Sequence, residues 1–256
     1  MNAIYRLGDE LTVRLPFLEG GAQTVDHEAT WLPRLAPLVP VSIPEVVALG
    51  EPAEGYPWRW AIHRWMAGDV LIEAEAADPE GLARDLAAFV TALRQVDLED
   101  GPAAYRGGSL HTVDAETRSA IEGLRRTDEP FDADAILAAW TAALEVPEWS
   151  GKPCWTHSDL MPSNLLGVRG RLTGVLDFGT TGVGDPAIDL IPAWNLLLPR
   201  ARQVFRDGVD VDDATWSRGL GWALSMAVIQ LPYYRHTNPI ISANARYVIG
   251  QVLAGR

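Results

Sequence analysis

The sequence predicts a mixed α+β protein of two unequal lobes, a small antiparallel sheet carrying one helix and a larger, mainly helical part. Three observations predict it. Strand and turn patterns fill residues 1–66, with one helical pattern among them. Helical periodicity dominates from residue 67 to 256, interrupted by short apolar runs between 153 and 176. The chain has 256 residues, 48% hydrophobic and 21% charged, which suits two lobes sharing a cleft and excludes disordered or fibrous classes.

Taken in order, residues 3–7 and 11–15 alternate polar and apolar side chains around Gly8-Asp9, the pattern of a hairpin. Gly20-Gly21 precedes a helix over 22–35, where Val25, Ala29, Leu32 and Leu35 fall near helical spacing and Pro33 weakens the last turn. Prolines 37, 40 and 44 mark a connection to strands over 46–49 and 58–65, separated by the turn-rich segment 51–57. Segment 64–67 is the expected hinge, and clefts between lobes are common ligand sites.

Pro79 opens a helix to 96 that stacks Leu82, Leu86, Phe89, Val90 and Leu93 on one side. Helices are also expected over 113–126 and 133–145. Short strands are expected over 153–156, 165–168 and 172–176. Helical patterns over 186–198, 201–207, 214–231 and 240–253 complete the chain.

Composition narrows the function classes. The net charge of −13 argues against nucleic acid and anionic membranes as partners. Residues 69–150 hold 18 acidic and 6 basic side chains, so the excess negative charge sits mid-chain. That serves solubility, or attraction of a cationic substrate. No apolar run reaches the roughly 18 residues of a membrane span, and no secretion signal is visible at the start. The single cysteine, Cys154, forms no internal disulfide and reads as a small buried residue, so a cytoplasmic protein is expected. There are 20 arginines and one lysine, Lys152, so chemistry that normally uses lysine must fall to arginine or to Lys152.

The informative stretch is His157-Ser158-Asp159-Leu160-Met161-Pro162-Ser163-Asn164, followed thirteen residues later by Asp177-Phe178-Gly179. H-x-D-L-x-x-x-N and then D-F-G have the spacing of a kinase catalytic loop and metal-binding motif. Alone, Asp159 would read as a turn former and Asp177 as a strand-end cap; the set with Asn164 reads as chemistry. Thr12-Val13-Arg14-Leu15, Glu28, the hinge Arg64-Trp65-Met66-Ala67-Gly68 and Gly184-Asp185-Pro186-Ala187-Ile188-Asp189-Leu190 fit the same pattern.

On these residues the chain resembles the aminoglycoside phosphotransferase family of protein-kinase-like enzymes. The resemblance implies a protein-kinase-like two-lobe fold, with an N-terminal nucleotide-binding lobe over 1–66 and a catalytic and substrate-binding lobe over 67–256. Asp159 would orient the acceptor hydroxyl and take its proton. Asn164 and Asp177 offer hard oxygens suited to Mg2+. Arg14 would replace the usual phosphate-binding lysine, with Glu28 as its partner, and Arg64 and Met66 would join them at ATP or GTP. His157, Asp185 and Asp189 are expected to be structural, Asp185 as a helix N-cap and Asp189 bonded to backbone near the catalytic loop. Asp185 follows Asp177 by only eight residues, and Ser158 stands where many regulated protein kinases have arginine; both favour a small-molecule substrate over a protein.

Two departures from the pattern bear on activity. Lys152 is badly placed for phosphate. The chain also opens inside what resembles the family's second strand, and no G-x-G-x-x-G precedes Arg14. An incomplete first lobe with an unpaired sheet edge is therefore expected, from an upstream start, a reduced lobe or a covering partner. The expected activity is phosphoryl transfer to a hydroxyl of a small, cationic, aminoglycoside-like molecule, with a role in antibiotic resistance. Macrolides, choline, homoserine and sugars are alternative acceptors, and a pseudokinase-like binding module is the alternative class. A metal-dependent hydrolase on His157-x-Asp159 ranks last, because only five histidines occur. Trp140, Trp149, Trp194, Trp216 and Trp222 read as core or rim rather than as stacking platforms.

Overall fold

The computed structural model describes residues 2–71 and 77–255. The expected class is found: a small antiparallel sheet precedes a helical C-terminal part. Strands β1 (Asn2–Leu7) and β2 (Leu11–Pro16) form the hairpin, in a register that pairs Ile4 with Arg14. Gly8 turns it at φ +61°, a conformation glycine adopts without cost. Helix α1 (Glu19–Leu35) comes next, then β3 (Val46–Gly50) and β4 (Trp60–Arg64). The sheet order is β1-β2-β4-β3, so β1 is an edge strand, with Ile4, Tyr5 and Leu7 exposed. Helix α1 begins three residues before the expected start, and β4 begins two residues after it.

β5 (Asp69–Val70) leads into the C-terminal part, which continues with α2 (Pro79–Arg94), α3 (Asp114–Leu124) and α4 (Ala133–Leu144). Sequence explains where two of these helices start. The Asp78 side chain caps α2 and Asp132 caps α4, and Pro79 sits where no N–H is needed. The strands β6 (Cys154–Thr156), β7 (Leu165–Val168), β8 (Arg171–Val175) and β9 (Gly182–Gly184) build two small sheets, β5-β7-β8 and β6-β9. The helices α5 (Pro192–Asn195), α6 (Pro199–Val209), α7 (Asp213–Tyr234) and α8 (Pro239–Ala254) close the fold. The stretch 186–198 is not one helix: a 3-10 turn over Pro186–Leu190 precedes the single turn of α5, because Pro192 cannot continue the ladder.

The main core lies in the helical part. Leu86, Phe89, Phe205, Leu224, Val228 and Ile249 are fully buried there. Burying a side chain of this kind gains about 1.5–3 kcal/mol, so this part anchors whatever loops it carries. Trp140, Trp194 and Trp222 belong to this core as expected, and Trp149 is partly exposed. Among the described residues, no helix is long and apolar enough to cross a membrane.

Candidate active site

Strand β6 delivers the chain to His157, and the carboxylate of Asp189 fixes the turn beyond it. Asp189 is buried and accepts the backbone N–H of His157 at 2.7 Å and of Ser158 at 2.9 Å. His157 is also buried; its Nε2 lies 2.9 Å from the Leu176 carbonyl oxygen and its ring meets Phe178 edge-on. Both residues are structural, as expected. They let Ser158 hold φ +69°, a left-handed turn unusual for serine, which exposes Asp159 beyond it.

Asn164 and Asp177 arrive from opposite ends of the β7–β8 hairpin. Asn164 closes a 3-10 turn just before β7, and Asp177 lies just beyond β8 at φ +59°, a region aspartate tolerates. The Leu176 N–H donates to the Asn164 carbonyl at 2.7 Å and ties the two ends together. The Asn164 amide donates to the Asp159 carbonyl at 2.9 Å and to Asp159 Oδ2 at 3.1 Å. Its own oxygen is therefore left for another partner.

The opposite wall comes from the sheet. Arg14 on β2 reaches Glu28 on α1, with NH1 2.7 Å from both carboxylate oxygens. Its NH2 lies 3.3 Å from Thr24 Oγ1 and 3.3 Å from Asp177 Oδ1, so this guanidinium bridges the two walls. Asn2 lies alongside; with its oxygen facing the guanidinium it accepts from Arg14 Nε at 3.0 Å. Burial disfavours the Arg14 charge, but Glu28 and Asp177 outweigh it and hold the guanidinium above its ordinary pKa. Burial likewise pushes the Glu28 carboxyl up. His63, whose Nε2 stands 3.5 Å away, and Arg14 together bring it below the usual carboxylate range.

These walls enclose a cleft of about 420 Å³, lined among others by Arg14, His63, Arg64, Met66, Asn164 and Asp177. Glu28 stands behind Arg14, and Asp159 borders the cleft through Asn164. All seven residues singled out from the sequence thus gather around one crevice. Their contributions differ: the Arg64 side chain turns to Glu45 at 2.7 Å, and both are exposed. Lys152 is not among the residues that line the cleft; it is exposed and 3.5 Å from Asp97. Cys154 is partly buried beside Asp189 and Asp185, and its thiol is pushed up to about 11, which suits the structural role expected of it.

The donor set fits a hard cation. Among the described residues no three histidine, cysteine or acidic side chains cluster to cage a metal alone. One carboxylate and one amide oxygen are what Mg2+ takes when substrate phosphates complete its shell.

Sequence reasoning missed Arg106. Its NH1 lies 3.0 Å from Asp159 Oδ1, on the carboxylate oxygen that Asn164 does not touch. No local motif marks it, because backbone pairing brings its loop to the site from far along the chain.

The model of the phosphotransferase enzyme family matches residues 2–222, so the chain belongs to that family. An aminoglycoside 3'-phosphotransferase of Escherichia coli is 28% identical over 204 residues, covering 76% of this chain and 73% of the relative. The GDP and kanamycin complex of APH(2")-IIia superposes with a TM-score of 0.74 at 20% identity, covering 100% of this chain and 90% of the other. The macrolide 2'-phosphotransferase MphH from Brachybacterium faecium superposes with a TM-score of 0.59 at 21% identity, covering 100% and 88%. The chain shares its kinase-like two-lobe fold with both solved structures.

Proposed function

We propose that this phosphotransferase moves the terminal phosphoryl group of ATP, or of GTP, to a hydroxyl of a small molecule, with an aminoglycoside-like cation as the leading acceptor. The single observation that carries the reading is the gathering of Asp159, Asn164 and Asp177 at one crevice opposite the buried Arg14–Glu28 pair. Residues 1–66 serve as the nucleotide lobe in this reading, and 67–256 carry the catalytic loop and the acceptor.

Each residue has a task its chemistry allows. Asp159 accepts the hydroxyl proton as the new O–P bond forms and the bond to the leaving diphosphate breaks. Asn164 Oδ1 and the Asp177 carboxylate would hold Mg2+. The metal, when bound, supplies positive charge to the phosphate oxygens. Arg14, held by Glu28, turns its NH2 edge from the long Asp177 contact toward phosphate oxygens. Arg64 and Met66 meet the nucleotide at the hinge.

For the acceptor, the acidic segment 69–150 and the aminoglycoside kinase at 28% identity favour a polycation. Both the reaction and the acidic surface suit a cytoplasmic enzyme that modifies an antibiotic. The test is magnesium-dependent transfer from labelled ATP and GTP to kanamycin, to erythromycin and to choline. Transfer to kanamycin supports the whole reading. Transfer to erythromycin or choline alone corrects the acceptor. An enzyme that binds neither nucleotide with magnesium overturns the reading.

A further inference from the structure

We propose that Arg106 is a positioning residue for phosphoryl transfer, clamping the Asp159 carboxylate from the side opposite Asn164 and holding it in the orientation that receives the acceptor hydroxyl. The inference rests on the phosphotransfer reading above and adds a residue to it.

The Asp159 carboxylate is held at both oxygens. Asn164 Nδ2 donates to Oδ2 at 3.1 Å, and Arg106 NH1 donates to Oδ1 at 3.0 Å. Asn164 lines the nucleotide cleft; Arg106 lies outside that lining, on the far side of Asp159. Both partners of the ion pair are about one-quarter exposed, with side-chain accessibilities of 27% and 24%. A pair of that exposure contributes little to global stability. It does restrict a short side chain that would otherwise rotate, and misplacing a reacting group by about 1 Å can cost 100-fold in rate.

Backbone bonds, independent of the Arg106 side chain, hold its loop in place. Val183 N–H donates to the Pro102 carbonyl at 2.8 Å, Ala104 N–H to the Val183 carbonyl at 3.1 Å, and Asp185 N–H to the Gly107 carbonyl at 2.7 Å. The Ser158 hydroxyl donates to the Arg106 carbonyl at 2.6 Å, joining this loop directly to the catalytic loop. Gly107 sits at φ +136°, and a Cβ on Gly184 would stand 2.6 Å from the Gly107 carbonyl oxygen; both positions need glycine for the loop to dock this closely. The loop is thus built to deliver residue 106 to Asp159. Ser158 binds the backbone at 106, while a cation from a distant segment meets the carboxylate beside it. The guanidinium also stacks near the Tyr105 ring at 5.0 Å, and among the described residues its Nε and NH2 have no hydrogen-bond partner.

The test compares wild type, Arg106→Ala and Arg106→Lys, each alone and with Asp159→Asn. Turnover of magnesium–ATP is measured with kanamycin and with water as the only acceptor, and ATP affinity is measured separately. Melting temperature checks that the fold is kept. The inference predicts that Arg106→Ala lowers kcat about tenfold or more with either acceptor. ATP affinity stays within about twofold, and Arg106→Lys recovers part of the loss. In the Asp159→Asn background the second change costs less than about twofold, because Arg106 acts through Asp159. Unchanged kcat in Arg106→Ala, or full additivity with Asp159→Asn, would overturn the inference while leaving phosphotransfer intact. A wild type with neither turnover nor magnesium-dependent ATP binding would sink both.

Discussion

The two walls of the cleft are built on different physical terms. The C-terminal wall is fixed by buried hydrogen bonds: Asp189 to two backbone N–H groups, His157 to Leu176, and Leu176 to Asn164. The N-terminal wall hangs on the Arg14–Glu28 ion pair, with His63 beside it, behind a small sheet whose edge strand is exposed. One wall therefore presents the proposed catalytic groups in fixed positions. The other presents charge, and its strength depends on pH and on what else enters the cleft. The same division explains why Arg14 spans both walls: its contact to Asp177 is the charged link observed between the sheet and the catalytic segment at the cleft.

The largest expected effect probes the rigid wall. Asp189→Ala would leave two buried N–H groups without an acceptor, each costing about 1–3 kcal/mol. The melting temperature should fall by roughly 10 °C, taking about 2–4 °C per kcal/mol for a chain of this size. A fall under about 3 °C would show that the catalytic loop does not depend on this carboxylate.

Glu28→Gln comes next and probes the charged wall. Removing one partner of a buried ion pair costs about 3–5 kcal/mol; the remaining Asp177 contact puts the expectation at the lower end at neutral pH. The Glu28 carboxyl lies below its ordinary value of 4.5 in the folded protein. Its contribution is therefore present above the unfolded value and lost as pH falls through the lower, folded one. As pH falls below about 4.5, the stability gap between wild type and Glu28→Gln should narrow. Denaturant titrations below that value check the sign, and a gap that widens there contradicts it.

The smallest effect is expected at Lys152. Exposed and, among the described residues, paired with Asp97, it should leave ATP affinity within about twofold when changed to alanine. Arg14→Ala, by contrast, should weaken ATP binding about tenfold or more, since phosphate contacts by arginine are charge-assisted and bidentate. If the two substitutions had equal effects, arginine would not have replaced lysine at the phosphates.

Legibility in the sequence divides along the same line. The motif residues 157–164 and 177–179 were readable because their spacing is local, and Asp189 because it comes so soon after them. The main helices were readable from their apolar stripes. β5 and β9 were not, since strands of two and three residues carry no periodicity of their own and exist only through pairing with β7 and β6. Arg106 was invisible for a related reason. Its place beside Asp159 depends on backbone bonds between segments far apart in the chain, such as Pro102 with Val183, and one arginine among 20 bears no mark of that. The Arg64 side chain lies against Glu45 in a way its hinge position did not suggest, because Glu45 immediately precedes β3 and faces it across the sheet.

The central claim is that Asp159, Asn164 and Asp177 share one transfer site with separate tasks, the first for the alcohol and the other two for the metal. The most direct measurement pairs kcat with magnesium-dependent ATP affinity in Asp159→Asn and Asp177→Asn. Asp159→Asn should lower kcat about 100-fold or more and leave metal-dependent ATP binding unchanged, while Asp177→Asn should abolish the magnesium dependence of that binding. Near-normal turnover in Asp159→Asn, or unaltered magnesium dependence in Asp177→Asn, would contradict the account.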